Sequence, residues 1–295
     1  MPIPEDQLDT WSHIGAGPGS RDTYATIQRV LESADAPYAN RTFEVFLQGS
    51  YKNDTNIYGE SDVDVVINLT SCFHHNADKL APEAFALFQS NNSDANYTDR
   101  DFKRDVMAHL TAQFGSDVVP GTKAVTIKAR GNRRKADVII SCNYHRYHEY
   151  STGKVRYDTG IAFYPQSGPK IINYPKQHSD NCTTKHQETK EWFKPMVRIF
   201  KNARSRLEDE GVIEPGLAPS YYIEGLLYNV PKEHFGTSYQ HTFVACLNWL
   251  VNADRTKLVT ANRQYVLLWK NSQVAWDPDK CTAFIDALVR QWNEW

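Results

Sequence analysis

The feature that most constrains the fold of this 295-residue chain is a change of hydrophobic period near Pro175. Before it, short segments such as 42–48 and 62–68 alternate apolar and polar residues, as β-strands do. After it, apolar residues recur with the period of α-helices over 183–210, 218–229, 239–253 and 278–294. Strands followed by helices predict an α+β protein with two domains, 1–176 and 177–295, and a cleft between them.

The same patterns predict the other elements. Helices are expected at 20–34 and 99–114, and further strands at 123–129, 135–141 and twice within 160–173. The dipeptide Gly131-Asn132 indicates a hairpin, and 49–61, rich in Gly, Ser, Asn and Asp, is expected to be a loop. Pro195 lies inside the first long helix of the second half and is expected to kink or split it.

Charge and cysteine usage exclude several classes of protein. The chain has 33 basic and 35 acidic residues, so it lacks the overall basic excess of a bulk nucleic-acid binder. A basic run that ends at Lys135 is expected to be a solvated hairpin tip. The five cysteines are widely spaced, which indicates neither a zinc ribbon nor a disulfide framework. Scattered free cysteines fit a reducing compartment, so we expect a cytoplasmic protein. The apolar runs are too short to span a membrane, so no membrane partner is expected.

Two carboxylates in the predicted strand 62–68 indicate metal chemistry. Asp62 and Asp64 are two residues apart, so a strand places both on one face, with Cβ atoms about 6–7 Å apart. Like charges on one face repel unless a cation lies between them. Magnesium is a hard cation that prefers oxygen ligands, often one or two carboxylates together with substrate phosphates.

A third carboxylate, Asp137, lies in another predicted strand between apolar residues. If that strand runs beside 62–68, the three carboxylates converge and can hold two metal ions about 3.5–4 Å apart, an arrangement that supports displacement at phosphorus. An Asp-x-Asp pattern alone is usually a solvated edge or loop. The prediction therefore depends on the whole pattern.

Gly49 and Ser50 follow one strand and precede the carboxylate strand. Glycine lets the backbone approach an anion closely, and the serine hydroxyl and backbone N–H can donate hydrogen bonds to phosphate oxygens. A Gly-Ser pair alone is typical of a turn. In this position it predicts a triphosphate site next to the metal site.

The combination of Gly49-Ser50, Asp62-Val63-Asp64 and Asp137 resembles the signature of the polymerase-β-like nucleotidyltransferases. The stretches 46–51 and 62–66 resemble one branch in particular, the bacterial CD-NTases, which are relatives of cyclic GMP-AMP synthase and oligoadenylate synthetase. In the helical half, 197–201 and 219–222 fall where that branch has a triphosphate-binding lysine and a Ser-Tyr pair.

The resemblance implies a polymerase-β-like core of mixed sheet and helices, a C-terminal helical lobe, and an active-site cleft between them. It implies that Asp62, Asp64 and Asp137 bind two Mg²⁺ ions, which Mn²⁺ can replace, and that Asp137 helps to activate the attacking hydroxyl. The nucleoside triphosphate substrates would be held by Gly49, Ser50, Lys201, Ser220 and Tyr221. In this assignment Lys201 and Ser220 contact phosphate, and Tyr221 stacks on a base.

The implied reaction is attack by the hydroxyl of one nucleotide on the α-phosphate of another, with release of pyrophosphate and closure of a ring in a second round. The product would be a cyclic di- or trinucleotide second messenger, used in bacteria in defence against phage. Activation by DNA or RNA is not expected, because the chain lacks the Cys-His insertion and the basic face of animal cyclic GMP-AMP synthase. No regulatory protein partner is indicated.

Two alternatives stay open at the level of sequence. One is a template-independent nucleotidyltransferase that makes linear oligonucleotides or extends RNA 3′ ends. The near-neutral charge argues against it, because a basic groove is expected for a bound strand. The other is a catalytically inactive, nucleotide-binding regulatory module. The presence of all three carboxylates argues against it.

Overall fold

A computed structural model describes residues 1–15, 19–58 and 62–295. The chain packs into two compact units. The helical unit consists of Met1–Ala16, Gly49–Glu60 and Lys176–Trp295, and the sheet unit of Gly17–Gln48 and Ser61–Pro175. The predicted change from strands to helices is confirmed. The domain limits 1–176 and 177–295 stay a prediction, because compact packing units need not fold separately.

The sheet unit is built on one mixed sheet. Its strands are β1 (Phe43–Leu47), β2 (Val63–Asn76), β3 (Val118–Pro120), β4 (Val125–Ile127), β5 (Ala136–Ser151), β6 (Lys154–Phe163) and β7 (Ile171–Asn173). Their order is β1-β2-β5-β4-β3, while β6 pairs with the second part of β5 and with β7. β2 and β5 run parallel, and the other pairs of these strands are antiparallel.

Helices follow the predicted positions closely. They are α1 (Glu5–Ser12), α2 (Gly19–Leu31), α3 (Gly49–Asn53), α4 (Pro82–Asn91), α5 (Asp99–Phe114), α6 (Pro175–Glu188), α7 (Phe193–Asp209), α8 (Ser220–Asn229), α9 (Tyr239–Asn252) and α10 (Pro278–Glu294). The long helix expected over 183–210 is split into α6 and α7. Pro195 lies in the first turn of α7, where its missing N–H costs no helical hydrogen bond. No helix in the described ranges has the length and apolar character to cross a membrane.

Helices α1 and α4 were not predicted, and one expected loop differs in part from the structure. The loop expected over 49–61 is wrong for Gly49–Asn53, which form the short helix α3, while 59–61 lie outside the described residues. Gly, Ser and Asn are poor helix formers. Hydrogen bonds from Asn53 and Thr55 to a buried carboxylate of the helical unit fix this segment, and local composition does not reveal such contacts.

Burial explains why β2 lies in the centre of the sheet. Val65, Val66 and Ile67 are all completely buried. Since successive strand residues face opposite sides, both faces of the sheet are covered at this point, as in parallel sheets. Helices α2 and α5 pack against β2. Asp64 lies on this buried strand, and Asp62 immediately precedes it.

Candidate active site

The register of the parallel pair brings two of the predicted carboxylates side by side. Asp64 of β2 is paired directly with Asp137 of β5, and neighbouring strands lie about 4.8 Å apart. Asp62 immediately precedes β2 on the same strand face as Asp64. The strand arrangement that the sequence analysis required for convergence is therefore present.

A cation of the protein already lies between two of these carboxylates. The Lys135 ammonium is 2.6 Å from Oδ2 of Asp62 and 3.3 Å from Oδ2 of Asp137. The hydrogen bond with Asp62 is the main cause that raises the pKa of Lys135, and the charge of Asp137 adds to it although partial burial opposes it. The ammonium relieves the repulsion that the sequence analysis expected on this face.

Lys135 was assigned to a solvated hairpin tip, and its contact with the carboxylates was missed. Lys135 and Asp137 are two residues apart at the start of β5, so alternation places both on one face. This two-residue spacing was the feature of the sequence that could have revealed the contact between Lys135 and the carboxylates.

Asp137 is also oriented from the neighbouring strand. Thr126 of β4 is paired with Asp137, and its hydroxyl donates a hydrogen bond of 2.6 Å to Oδ1. The hydrogen bond fixes the rotamer of the carboxylate, while Oδ2 is turned toward Lys135. Nothing in the sequence near Thr126 distinguished it from other polar strand residues.

The donor set fits a hard divalent cation. Three carboxylates from two adjacent strands offer up to six oxygen atoms, and the side chains of Asp62 and Asp137 are 44% and 24% exposed, so a ligand can reach them. The position of the Lys135 ammonium indicates that the local field attracts positive charge.

Gly49 and Ser50 begin helix α3, directly after the strand that pairs with β2. The backbone N–H of Gln48, the preceding residue, donates to the carbonyl of Asp64 at 3.0 Å. Gly49 has φ of +69°, a conformation that strongly favours glycine. The carbonyl of Ser50 accepts a hydrogen bond from the N–H of Thr55 at 2.9 Å, which closes the segment on itself.

A buried network in the helical unit holds this segment. Glu224 of α8 accepts hydrogen bonds from the side chains of Asn53, at 3.1 Å, and Thr55, and its Oε2 is 2.5 Å from Nε2 of His178. Burial alone raises the pKa of Glu224, but the hydrogen bond and charge of His178 outweigh it and hold that pKa below its ordinary value, with smaller contributions from Lys201 and Thr55. Glu224 was not among the residues singled out from the sequence.

Lys201 belongs to the same network. It is completely buried, and its ammonium donates to the carbonyl of Thr55 at 2.8 Å. It therefore lies beside the segment that carries Ser50. Its contact with phosphate stays a prediction.

Ser220 and Tyr221 occupy the first turn of α8. The hydroxyl of Ser220 accepts a hydrogen bond from Arg204 at 3.1 Å. Tyr221 stacks on the His178 ring with a centroid distance of 5.0 Å, and its hydroxyl accepts from Asn262 at 3.0 Å. Burial is the main cause that raises its pKa. The helical unit thus holds Gly49, Ser50, Lys201, Ser220 and Tyr221, and the sheet unit holds the three carboxylates.

Known proteins resemble this chain over its whole length. A family model described as the cGAS/DncV-like nucleotidyltransferase C-terminal helical domain matches residues 180–293. A cyclic UMP-AMP synthase of Rhodothermus marinus is 39% identical, with 100% of this chain and 99% of the relative covered. The cyclic nucleotide synthase CdnE01 of Staphylococcus haemolyticus is 34% identical, with 100% of both covered. The solved structure of the Rhodothermus marinus CdnE c-UMP-AMP synthase with Apcpp and Upnpp has a TM-score of 0.90 at 38% identity, covering 100% of this chain and 98% of that one.

Proposed function

The chain belongs to the cGAS/DncV-like nucleotidyltransferases, the bacterial CD-NTases, and from that premise we propose that Asp62, Asp64 and Asp137 form its catalytic metal site. As a member of this family it has the polymerase-β-like α+β fold, and it is a cyclic oligonucleotide synthase that uses divalent metal ions. The observation that carries the proposal is the pairing of Asp64 with Asp137, together with the Lys135 ammonium between Asp62 and Asp137.

The proposed metal complement is two Mg²⁺ ions, which Mn²⁺ can replace. When bound, such ions make the attacking hydroxyl more acidic and neutralise the charge that develops on the leaving pyrophosphate. The chain itself positions the ligands. β2 and β5 fix the spacing of Asp64 and Asp137, and the hydrogen bond from Thr126 fixes the Asp137 carboxylate. We assign to Asp137 the removal of the proton from the attacking hydroxyl.

The proposed substrate residues are Gly49 and Ser50 for the triphosphate, Lys201 and Ser220 for phosphate, and Tyr221 for a base. The positive φ of Gly49 supports a close backbone approach to phosphate. Lys201 is supported by its position beside the segment that carries Ser50, where its positive charge favours an anionic ligand. The half-buried Tyr221 ring, already fixed by His178 and Asn262, is suited to stacking on a base.

We propose ATP and UTP as the substrate pair, because the 39% identical relative is a cyclic UMP-AMP synthase and its solved structure holds Apcpp and Upnpp. A role in defence against phage is proposed on the family resemblance. A cytoplasmic location is proposed because all five cysteines are free thiols.

The test is to incubate the full chain with each pair of nucleoside triphosphates, one labelled at the α-phosphate, in the presence of Mg²⁺ or Mn²⁺. Phosphatase removes the terminal phosphates of a linear product and changes its chromatographic mobility, whereas a cyclic product has no terminal phosphate and keeps its mobility. The proposal predicts that the ATP and UTP pair gives the most resistant product. A phosphatase-sensitive ladder would indicate linear oligonucleotides, and a complete absence of product with every pair would favour the inactive module.

A second experiment tests the assignment of the aspartates to catalysis. The Asp62→Asn, Asp64→Asn double variant should give no product. Glu149→Gln is the matched control, because it removes a partly exposed carboxylate of the same unit, one that pairs with Lys154 at 2.9 Å. Product from the double variant at the control rate would contradict the assignment.

A further inference from the structure

A second set of metal-ligating side chains converges in the sheet unit. One ligand atom each of His74, Asp99 and Cys142 lies within 4.8 Å of the others, and Nε2 of His74 is 3.4 Å from Oδ2 of Asp99. Cys142 is five residues beyond Asp137 along β5, which corresponds to about 16 Å. The cluster is therefore separate from the proposed catalytic carboxylates.

An irregularity of β2 adds a fourth side chain. Leu69 pairs with Cys142 and Phe73 pairs with the next residue of β5, so 70–72 of β2 have no partner in β5. This bulge brings Cys72 next to Cys142 and close to Asp99 and His74. Bulges interrupt the regular alternation of a strand and redirect side chains, often next to functional sites.

The third element of the cluster, after β2 and β5, is the first turn of α5. Asp99 follows Thr98, whose side chain caps the helix in a reciprocal capping box with Asp101. The cap fixes the position at which α5 begins, and its first residue then faces His74. Two strands and one helix thus contribute to the cluster, which their separate sequence patterns do not indicate.

Burial favours a metal site over a solvated cluster. Cys142 is completely buried, while the side chains of His74 and Asp99 are 24% and 19% exposed, so the cluster is shielded but reachable.

We propose that Cys72, His74, Asp99 and Cys142 bind one Zn²⁺ ion that links β2, β5 and α5. Two sulfurs, one imidazole nitrogen and one carboxylate oxygen suit the tetrahedral preference of zinc, whereas magnesium prefers oxygen ligands alone. Bond lengths of about 2.0–2.3 Å place tetrahedral ligand atoms roughly 3.3–3.8 Å apart, so small side-chain adjustments suffice. The ion has a structural role, and the reaction at the aspartates does not involve it.

Cobalt is the probe for this site. The full chain is stripped of metal with a chelator under reducing conditions and titrated with Co²⁺, which gives thiolate-to-cobalt charge-transfer bands only where cysteine sulfur is a ligand. We expect these bands to saturate at one equivalent and to disappear when one equivalent of Zn²⁺ is added. The Asp62→Asn, Asp64→Asn background removes cobalt binding at the catalytic carboxylates, which have no sulfur.

Variants identify the ligands. Cys72→Ser and His74→Asn should each weaken zinc binding at least tenfold in competition with a colorimetric chelator, and both side chains are partly exposed, so folding is expected to survive. Cys281→Ser and Cys182→Ser are the matched controls and should keep the bands, although Cys182 lies in a second cluster with His178 and Glu224. Zinc should also raise the melting temperature of the wild type but not of Cys72→Ser.

Three results would overturn the proposal. One is a wild-type protein without thiolate-to-cobalt bands. Another is a set of bands that survives Cys72→Ser and His74→Asn, or that is lost in Cys182→Ser. The third is a protein in which Cys72 and Cys142 form a disulfide and which binds no zinc after that disulfide has been reduced.

Discussion

Replacing Asp62 and Asp64 together by asparagine separates catalysis from folding. In the structure Asp62 forms an ion pair of 2.6 Å with Lys135, in which the two side chains are 44% and 42% exposed. Exposed ion pairs contribute about 0–1 kcal/mol. The second substitution removes a carboxylate directly opposite Asp137, which reduces like-charge repulsion. The two effects oppose each other, so the free energy of unfolding without metal should change by about 1 kcal/mol or less.

Bound metal and nucleotide should raise the melting temperature of the wild type but not that of the double variant. A metal-nucleotide complex that binds the folded state at a hundred times its Kd adds about 2.7 kcal/mol of stability. At about 2–4 °C per kcal/mol, this corresponds to a rise of roughly 5–11 °C in melting temperature. The double variant should lose most of that rise, because neutral amides are poor ligands for a hard dication. Product formation should fall by several orders of magnitude.

The assay is a pair of thermal melts, with and without Mg²⁺ and a non-hydrolysable nucleotide, beside the labelled-product assay. Glu149→Gln should match the wild type in both melts and in the product assay, because Glu149 and Lys154 form a partly exposed ion pair on the β5–β6 hairpin. A double variant that still gains the full ligand-induced rise would refute the metal-ligand assignment. A variant that unfolds without ligand would show that the two carboxylates are structural.

Four further substitutions test the surrounding residues. Thr126→Ala should lower kcat, because the Asp137 carboxylate loses the hydrogen bond that orients it, and should also lower the melting temperature, because a hydrogen bond to a charged group contributes about 1.5–3 kcal/mol; Thr126→Ser should restore both, and failure to do so would argue against the hydrogen bond with Asp137. Lys135→Met should lower the Mg²⁺ concentration needed for half-maximal activity, since the ion no longer competes with an ammonium; a higher requirement would contradict the bridging role. Lys201→Met should raise KM for nucleotide about tenfold, equivalent to about 1.4 kcal/mol, and an unchanged KM would leave Lys201 with a structural role only. Glu224→Gln should lower stability by about 3–5 kcal/mol, measured by denaturant unfolding at neutral pH, because it breaks a buried pair. Since the pKa of Glu224 is held below its ordinary 4.5, its contribution is present above that pH and is lost as the pH falls through the lowered pKa, so the two proteins should converge there.

Local sequence patterns were enough to identify most strands and helices and the carboxylates of the proposed metal site. The two-residue period placed Asp62 and Asp64 on one strand face, and the apolar neighbours of Asp137 placed it in another strand. Periods and turn residues are properties of neighbouring residues, so they can be identified without knowledge of the fold. The division of the long helix just before Pro195 was predicted for the same reason, since proline lacks the N–H that a helix interior requires.

The tertiary structure decided which strands are neighbours and in what register. Asp62 and Lys135 are 73 residues apart in the chain, and their contact exists only because β2 and β5 run parallel with Asp64 opposite Asp137. A shift of one residue would turn every side chain to the other face, and only the packing of both faces of the sheet excludes it.

The short helix α3 and the Glu224 network depend on tertiary structure to an even greater degree. Thr55 and Glu224 are 169 residues apart, and the buried carboxylate is stable only where Asn53, Thr55, His178 and Lys201 are all present around it. The spacing of apolar residues along the chain cannot predict such a network, because a buried charge is stabilised by partners that only folding brings together. The sequence therefore identified the candidate catalytic residues, and the fold supplied the contacts that orient them.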